Sequence, residues 1–135
     1  MKNKLVDPPS LIPPRGIEVR ESSDEFVIED AVALRAVRMI REKAFQGLTV
    51  AAICEQLSIS RSTLERRMKA ALKRGPKEEI LRIQFREVKR LLRNTSLTIE
   101  VIAEQVGFSH AHYLQTVFRE RYGITPGQFR KQQQG

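Results

Sequence analysis

Residues 53–60 read ICEQLSIS, and forty-nine positions later residues 102–109 read IAEQVGFS. A chain of 135 residues that writes nearly the same eight letters twice is constrained to build one local unit two times. The two copies register over a longer span. Thr49 falls on Thr98, Ile53 on Ile102, Glu55-Gln56 on Glu104-Gln105, Leu57 on Val106 and Ile59 on Phe108. Ser109 is then one extra residue in the second copy, after which Leu64 falls on Leu114, Met68 on Phe118 and Lys69 on Arg119. Each copy reads as a short helix, a turn of three to four residues and a longer helix, the helix-turn-helix pattern.

The spacing has a physical reason. The first helix of each unit must be small and aliphatic where the second crosses it, and Ala52-Ile53 and Val101-Ile102-Ala103 meet that need. Gly107 stands where the chain turns sharply and favours positive φ. Ile59 and Phe108 plug the gap between the helices. The second turn, with Gly107 and Phe108, is expected to be the better formed of the two. Leu64 and Met68, or Leu114, Val117 and Phe118, recur at steps of three and four and so line the inner face of the longer helix. The outer face is left free. It carries Arg61, Ser62, Glu65, Arg66 and Lys69 in the first copy, and Ala111, His112, Gln115, Thr116 and Arg119 in the second.

The rest of the chain is helical punctuation around these units. Asp30 suits an N-cap, and Val32/Ala33, Ala36/Val37, Ile40 and Ala44 make one apolar face ending at Gly47. Thr49 and Thr98 cap the short helices, VAAICEQL and IEVIAEQV. In the first longer helix, Ser62 and Glu65 have capping-box spacing and Ser60 is an equally good cap. Gly75-Pro76 opens a helix expected over 76–94, with Leu81, Phe85, Val88 and Leu92 on one stripe, flanked by Ile80, Ile83 and Leu91. A last short helix starts at Thr125-Pro126 and is expected to end near Lys131, with a frayed tail. The fold class is therefore all-α, with about seven helices and two helix-turn-helix subdomains joined by a long linker helix. Residues 1–29 hold Pro8, Pro9, Pro13 and Pro14 and read as a linker or the remnant of an upstream domain. Their alternation at Ile17, Val19 and Phe26 would suit a short strand with nothing to pair with. The body is expected over 30–132, with units at about 49–72 and 98–121 and a tail at 133–135.

Charge sharpens the reading. The chain carries +8, unevenly: residues 1–30 hold 4 basic and 7 acidic side chains, so the remainder holds 20 and 9, a net of +11. A body that basic suits a polyanion. On the outer faces, Arg matches guanine O6/N7, Gln matches adenine, Glu accepts from cytosine, and small side chains pack on the thymine methyl. Arg61, Ser62, Glu65, Arg66, Ala111, His112, Gln115 and Thr116 are thus the candidate base readers. Lys69 and Arg119, a turn further on, and Thr49 and Thr98 are the candidate phosphate contacts. The expected partner is double-stranded DNA. A protein-interaction module docking an acidic partner is the alternative, separated by the steep salt dependence of binding to random duplex.

Catalysis is not expected. No Gly-rich phosphate loop, Cys/His nucleophile pair or carboxylate cluster is present. His110 and His112 are two apart, so on a helix they diverge and cannot share a metal. No cofactor and no metal are expected. Cys54 is the single cysteine and is expected to be a small buried apolar residue. Apolar runs are too short to span a bilayer, and Pro8-Pro9 interrupts any signal-peptide core. A cytoplasmic, nucleoid-associated protein is expected.

The run TIEVIAEQVGFSHAHYLQTVFRERYGITPGQFR, residues 98–130, resembles the signature of the AraC/XylS family of bacterial transcription regulators. Its marks are I-A-x-x-x-G-F, then Y-L and F-R, then G-x-T-P-x-x-[FY]-R. The likeness covers Asp30 to Arg130 and implies two helix-turn-helix subdomains on a long linker helix. The chain departs from the pattern at Ser58, where Gly is usual, at Arg67, which stands opposite Val117, and at Gln84-Phe85, where Arg-Leu is usual. A narrower likeness, in PPRGIEVRESSD, SRSTLERR and EEI, is to the xylose-operon regulator subgroup. It implies a sugar effector acting only through an upstream domain outside this sequence; a short stand-alone regulator is the alternative. RNA polymerase is a further candidate partner. The DNA-binding part is expected to be monomeric, with dimerisation left to the full regulator.

Overall fold

The computed structural model describes residues 28–134, and all regular structure among them is helical. The prolines of the N-terminal segment and the alternation at Ile17, Val19 and Phe26 lie outside the described residues. Among the described residues seven α-helices follow in order: α1 (Ala31–Lys43), α2 (Val50–Leu57), α3 (Arg61–Leu72), α4 (Pro76–Asn94), α5 (Ile99–Val106), α6 (Ala111–Tyr122) and α7 (Pro126–Gln134). A 3₁₀ turn, Ala44–Gln46, continues α1. α7 runs beyond Lys131, so residues 132–134, expected to fray, are helical.

Start signals act as the sequence suggests at four of the helices. The side chains of Asp30, Thr49, Ser60 and Thr98 each accept a hydrogen bond from the backbone N–H three residues on. These bonds satisfy donors that a helix N-terminus leaves unpaired. In α3 the choice falls on Ser60, which accepts from Thr63 N at 3.1 Å, and not on Ser62. Pro76 opens α4 at a position where its missing N–H costs nothing.

α4 is the axis of the fold, because its two sides serve two different cores. Ile80 and Ile83 pack with Ile28, Ala33, Ala36, Val37, Ile40, Ile53, Leu64 and Met68 from the first unit. Leu81, Phe85, Val88, Leu91 and Leu92 pack with Ile102, Val106, Phe108, Leu114 and Phe118 from the second. Of the three residues that flank the main stripe in sequence, Leu91 joins the stripe's own core, whereas Ile80 and Ile83 are not its edge. They are a second interface facing the other way. Phe85 anchors the second core, with ring centroids 5.3 Å from Phe108, 5.9 Å from Phe118 and 6.1 Å from Tyr122. Cys54 is half-buried at the margin of the first core, not fully enclosed.

The entry to α4 is held electrostatically. Glu79 is 1% exposed, and its carboxylate accepts from Arg74 Nε and from Arg82, whose Nη2 lies 2.8 Å from Oε2. Burial alone would raise the Glu79 pKa, but the two guanidiniums outweigh it and hold the carboxyl below the ordinary glutamate value.

The two helix-turn-helix turns share one pattern, and the Gly107 turn is the better formed, as expected: its reach-back bond is shorter and its left-handed residue is a glycine. Ser58 adopts φ 57°, ψ 46°, and Gly107 adopts φ 94°, ψ 17°. Ser58 N and Gly107 N donate to Glu55 O and Glu104 O, both at 3.3 Å. Ile59 N and Phe108 N reach back to Cys54 O at 3.1 Å and Ala103 O at 2.8 Å. This is one Schellman pattern written twice, followed by an apolar residue that is half-buried at Ile59 and buried at Phe108. Ser58 adopts it at the cost of a left-handed Cβ. Ser58→Gly is therefore expected to stabilise the fold by about 1 kcal/mol, read as a higher midpoint in urea unfolding with an unchanged slope. An unchanged or lower midpoint would mean that Ser58 is not strained.

Candidate nucleic-acid interface

Helical period decides what the longer helix of each unit can show. In α3, Leu64 and Met68 are 0% exposed; in α6, so are Leu114 and Phe118. The opposite faces are left outside. Arg61, Ser62, Arg66 and Lys69 are exposed and Glu65 half-buried on α3; His112, Gln115, Thr116 and Arg119 are exposed and Ala111 half-buried on α6. Each candidate base reader thus lies on the outer half of its helix, beside Lys69 or Arg119. Thr49 and Thr98 are also exposed, at the N-termini of α2 and α5. Their hydroxyl oxygens accept from Ala52 N at 3.1 Å and Val101 N at 3.2 Å. That leaves each O–H free to donate.

Two of the candidates are already partners. Arg61 Nε donates to Glu65 Oε2 at 3.0 Å, one turn along α3. The pair neutralises charge on this face and leaves the two Nη groups of Arg61 as its open donors. Ser62 lies 3.3 Å from the capping Ser60 hydroxyl. Among the α6 candidates no mutual hydrogen bond is recorded.

Arg67, which replaces the apolar residue found at Val117, is not an outer-face group. Its Nη1 lies 3.2 Å from Asp30 Oδ2, tying α3 to the N-cap of α1. The Ala33 N–H, and with it Arg67, holds the Asp30 carboxyl below its ordinary value. The spacing of thirty-seven residues between these partners is invisible to any local pattern.

An open cleft of about 520 Å³ separates the units. Thr49 and Arg61 line it from the first unit, His110 and Tyr113 from the second, and Lys77 and Gln84 from α4. The N-termini of α3 and α6 therefore both flank it. Ser60 caps α3, whereas His110 gives α6 no side-chain cap. Of the residues lining the cleft, Lys77 carries no mark in the sequence, and neither Tyr113 nor Gln84 reads as a site residue there. Tyr113 is 42% exposed, with its ring 6.0 Å from Phe108. Among the described residues no group of three or more His, Cys, Asp or Glu is placed to hold a metal, and no helix is long and apolar enough to cross a membrane.

Comparison with known proteins agrees with this architecture. A family profile described as a helix-turn-helix domain matches residues 53–132. A xylose operon regulatory protein from Haemophilus influenzae is 31% identical over 127 residues, which is 94% of this chain and 33% of that protein. The chain thus spans about a third of the length of the xylose-operon relatives it matches. The C-terminal domain of AraT, a response regulator from Geobacillus stearothermophilus, superposes with a TM-score of 0.71 at 30% identity, covering 76% of this chain and 86% of that one. The structure of the xylose-binding transcription activator xylR superposes with a TM-score of 0.64 at 28% identity, covering 96% of this chain and 34% of that one.

Proposed function

Because this chain belongs to the AraC/XylS family of DNA-binding transcription regulators, we propose that it reads DNA with α3 and α6 together, in successive major grooves on one face of the duplex. The observation that carries this reading is the pair of matched helices with buried inner faces and mixed polar outer faces on one axial helix. The nineteen residues of α4 span about 28 Å at ~1.5 Å per residue. One turn of duplex is about 34 Å, so modest bending of the DNA toward the protein brings both helices into register. The strands between the two grooves then pass over the cleft, where Arg61 and Lys77 supply positive charge and the uncapped start of α6 supplies backbone N–H donors.

Within that frame Arg66, with Ser62 and Glu65 beside it, reads bases in the first groove, and His112, Gln115 and Thr116 read them in the second. Arg61 and Ala111 lie at the entry to each groove. Lys69, Arg119, Thr49 and Thr98 contact phosphate. The likeness to xylose-operon relatives supports a sugar-responsive regulator whose effector domain precedes this chain.

Arg66→Ala is expected to cost about 1–3 kcal/mol of binding and to relax one base position. Lys69→Ala is expected to weaken all sequences alike and to lower the slope of log K against log salt by about 1. Titration of matched and scrambled duplexes across a salt series reads both. Equal loss on every sequence for Arg66→Ala would remove it from the base readers. Footprinting tests the two-groove arrangement: protection of one groove only would contradict it.

A further inference from the structure

The two units do not hang independently from α4. Gln84, 5% exposed in the middle of that helix, donates its amide to Ala44 O at 3.3 Å and to Val106 O at 3.0 Å. Ala44 opens the 3₁₀ turn of the first unit and Val106 ends α5 of the second. Val106 O is a C-terminal carbonyl that its own helix leaves unpaired. Only an NH₂ group fits between two carbonyl oxygens, since the flipped amide would set Oε1 against both. Beside this bond the backbones meet directly. A Cβ on Gly107 would lie 2.8 Å from the carbonyl carbon and oxygen of Phe45 and 2.9 Å from Gly47 N. The seam is thus backbone against backbone, and one buried side chain bonds to both sides of it.

We infer that Gln84 is the positioning residue that fixes the separation of α3 and α6, and so sets the half-site spacing this protein accepts. The inference rests on the two-groove reading above. A purely packing residue at this place would affect stability; a residue that spans the seam also affects which spacing is bound. Moving one half-site by a base pair shifts it by about 3.4 Å and rotates it by about 35°. A locked pair of helices cannot follow that change, whereas an unlocked pair can.

The full chain tests this in two measurements, and only the second needs DNA. First, nitroxide labels at Ala70→Cys and Glu120→Cys, in a Cys54→Ser background, report the separation of α3 and α6 in the free protein. One narrow distance peak is expected, broadening in Gln84→Met. A broad distribution without the Gln84 change overturns the inference, as does an equally narrow one in a folded Gln84→Met. Second, duplexes with the selected half-sites moved one base pair apart or together are titrated. The unsubstituted chain is expected to lose about tenfold per step, and Gln84→Met about threefold or less. Equal penalties in the two proteins overturn the inference. Absence of any DNA binding by the unsubstituted chain would instead overturn the proposed function, and leave the label distances to decide the seam.

Discussion

Gly107→Ala is expected to destabilise the protein by about 2–5 kcal/mol. Two costs combine. The residue sits at φ 94°, where a side chain costs about 1–2 kcal/mol. The new methyl would also lie 2.8 Å from Phe45 backbone atoms, and overpacking against backbone typically adds about 1–3 kcal/mol. For a domain of this size that is a fall in Tm of about 8–20 °C. Gly123→Ala is the internal control. Gly123 has φ 80° but nothing within 4 Å of its Cβ position, so only the conformational cost of about 1–2 kcal/mol applies. Thermal unfolding of the two variants side by side isolates the seam contact. Equal losses would mean that the units do not press on each other at Gly107.

The second large effect is expected at Glu79. Glu79→Gln keeps the shape but removes the charge that two guanidiniums share. Arg74 and Arg82 are each only about a third exposed at their side chains. Breaking a buried pair typically costs about 3–5 kcal/mol, and partial solvation of the arginines puts this case near 3. The same carboxylate predicts an acid limb. Its folded-state pKa is lowered from the ordinary value of 4.5. Its contribution is therefore complete above about pH 4.5 and is lost as pH falls through the lower folded value. Asp30, lowered from 3.8 by the Ala33 N–H and by Arg67, adds in the same direction. Urea midpoints across pH 3–7 should fall below about pH 4.5 in the unsubstituted chain and fall less in Glu79→Gln. Parallel pH profiles would show that Glu79 does not stay ionised in the fold.

Much of this architecture is legible in the letters because it is local. The repeat at 53–60 and 102–109, the caps at Thr49 and Thr98, and the inward Leu64, Met68, Leu114 and Phe118 all follow from helical period and turn chemistry. The outer faces follow as the complement. What escapes is long in sequence and short in space. Gln84 reads as one polar residue on a basic helix, because its acceptors are backbone carbonyls forty and twenty-two residues away. Arg67 reads as a charge misplaced on an inner face until Asp30 is seen beside it. Ser58 reads as a defect, since strain at a single αL residue is outweighed by two Schellman bonds and the packing of a half-buried Ile59. The stripe on α4 reads as a single apolar face, because a one-dimensional pattern does not show that two cores divide it.

The central claim is that one chain reads two separated half-sites, one with each repeat. Selection of bound duplexes from a random pool, at fixed salt and with the full chain, tests it most directly. Two enriched, non-palindromic half-sites about one helical turn apart (~10–10.5 bp) are expected, with the first relaxed by Arg66→Ala. A single enriched half-site, a palindrome, or no enrichment at all would contradict it.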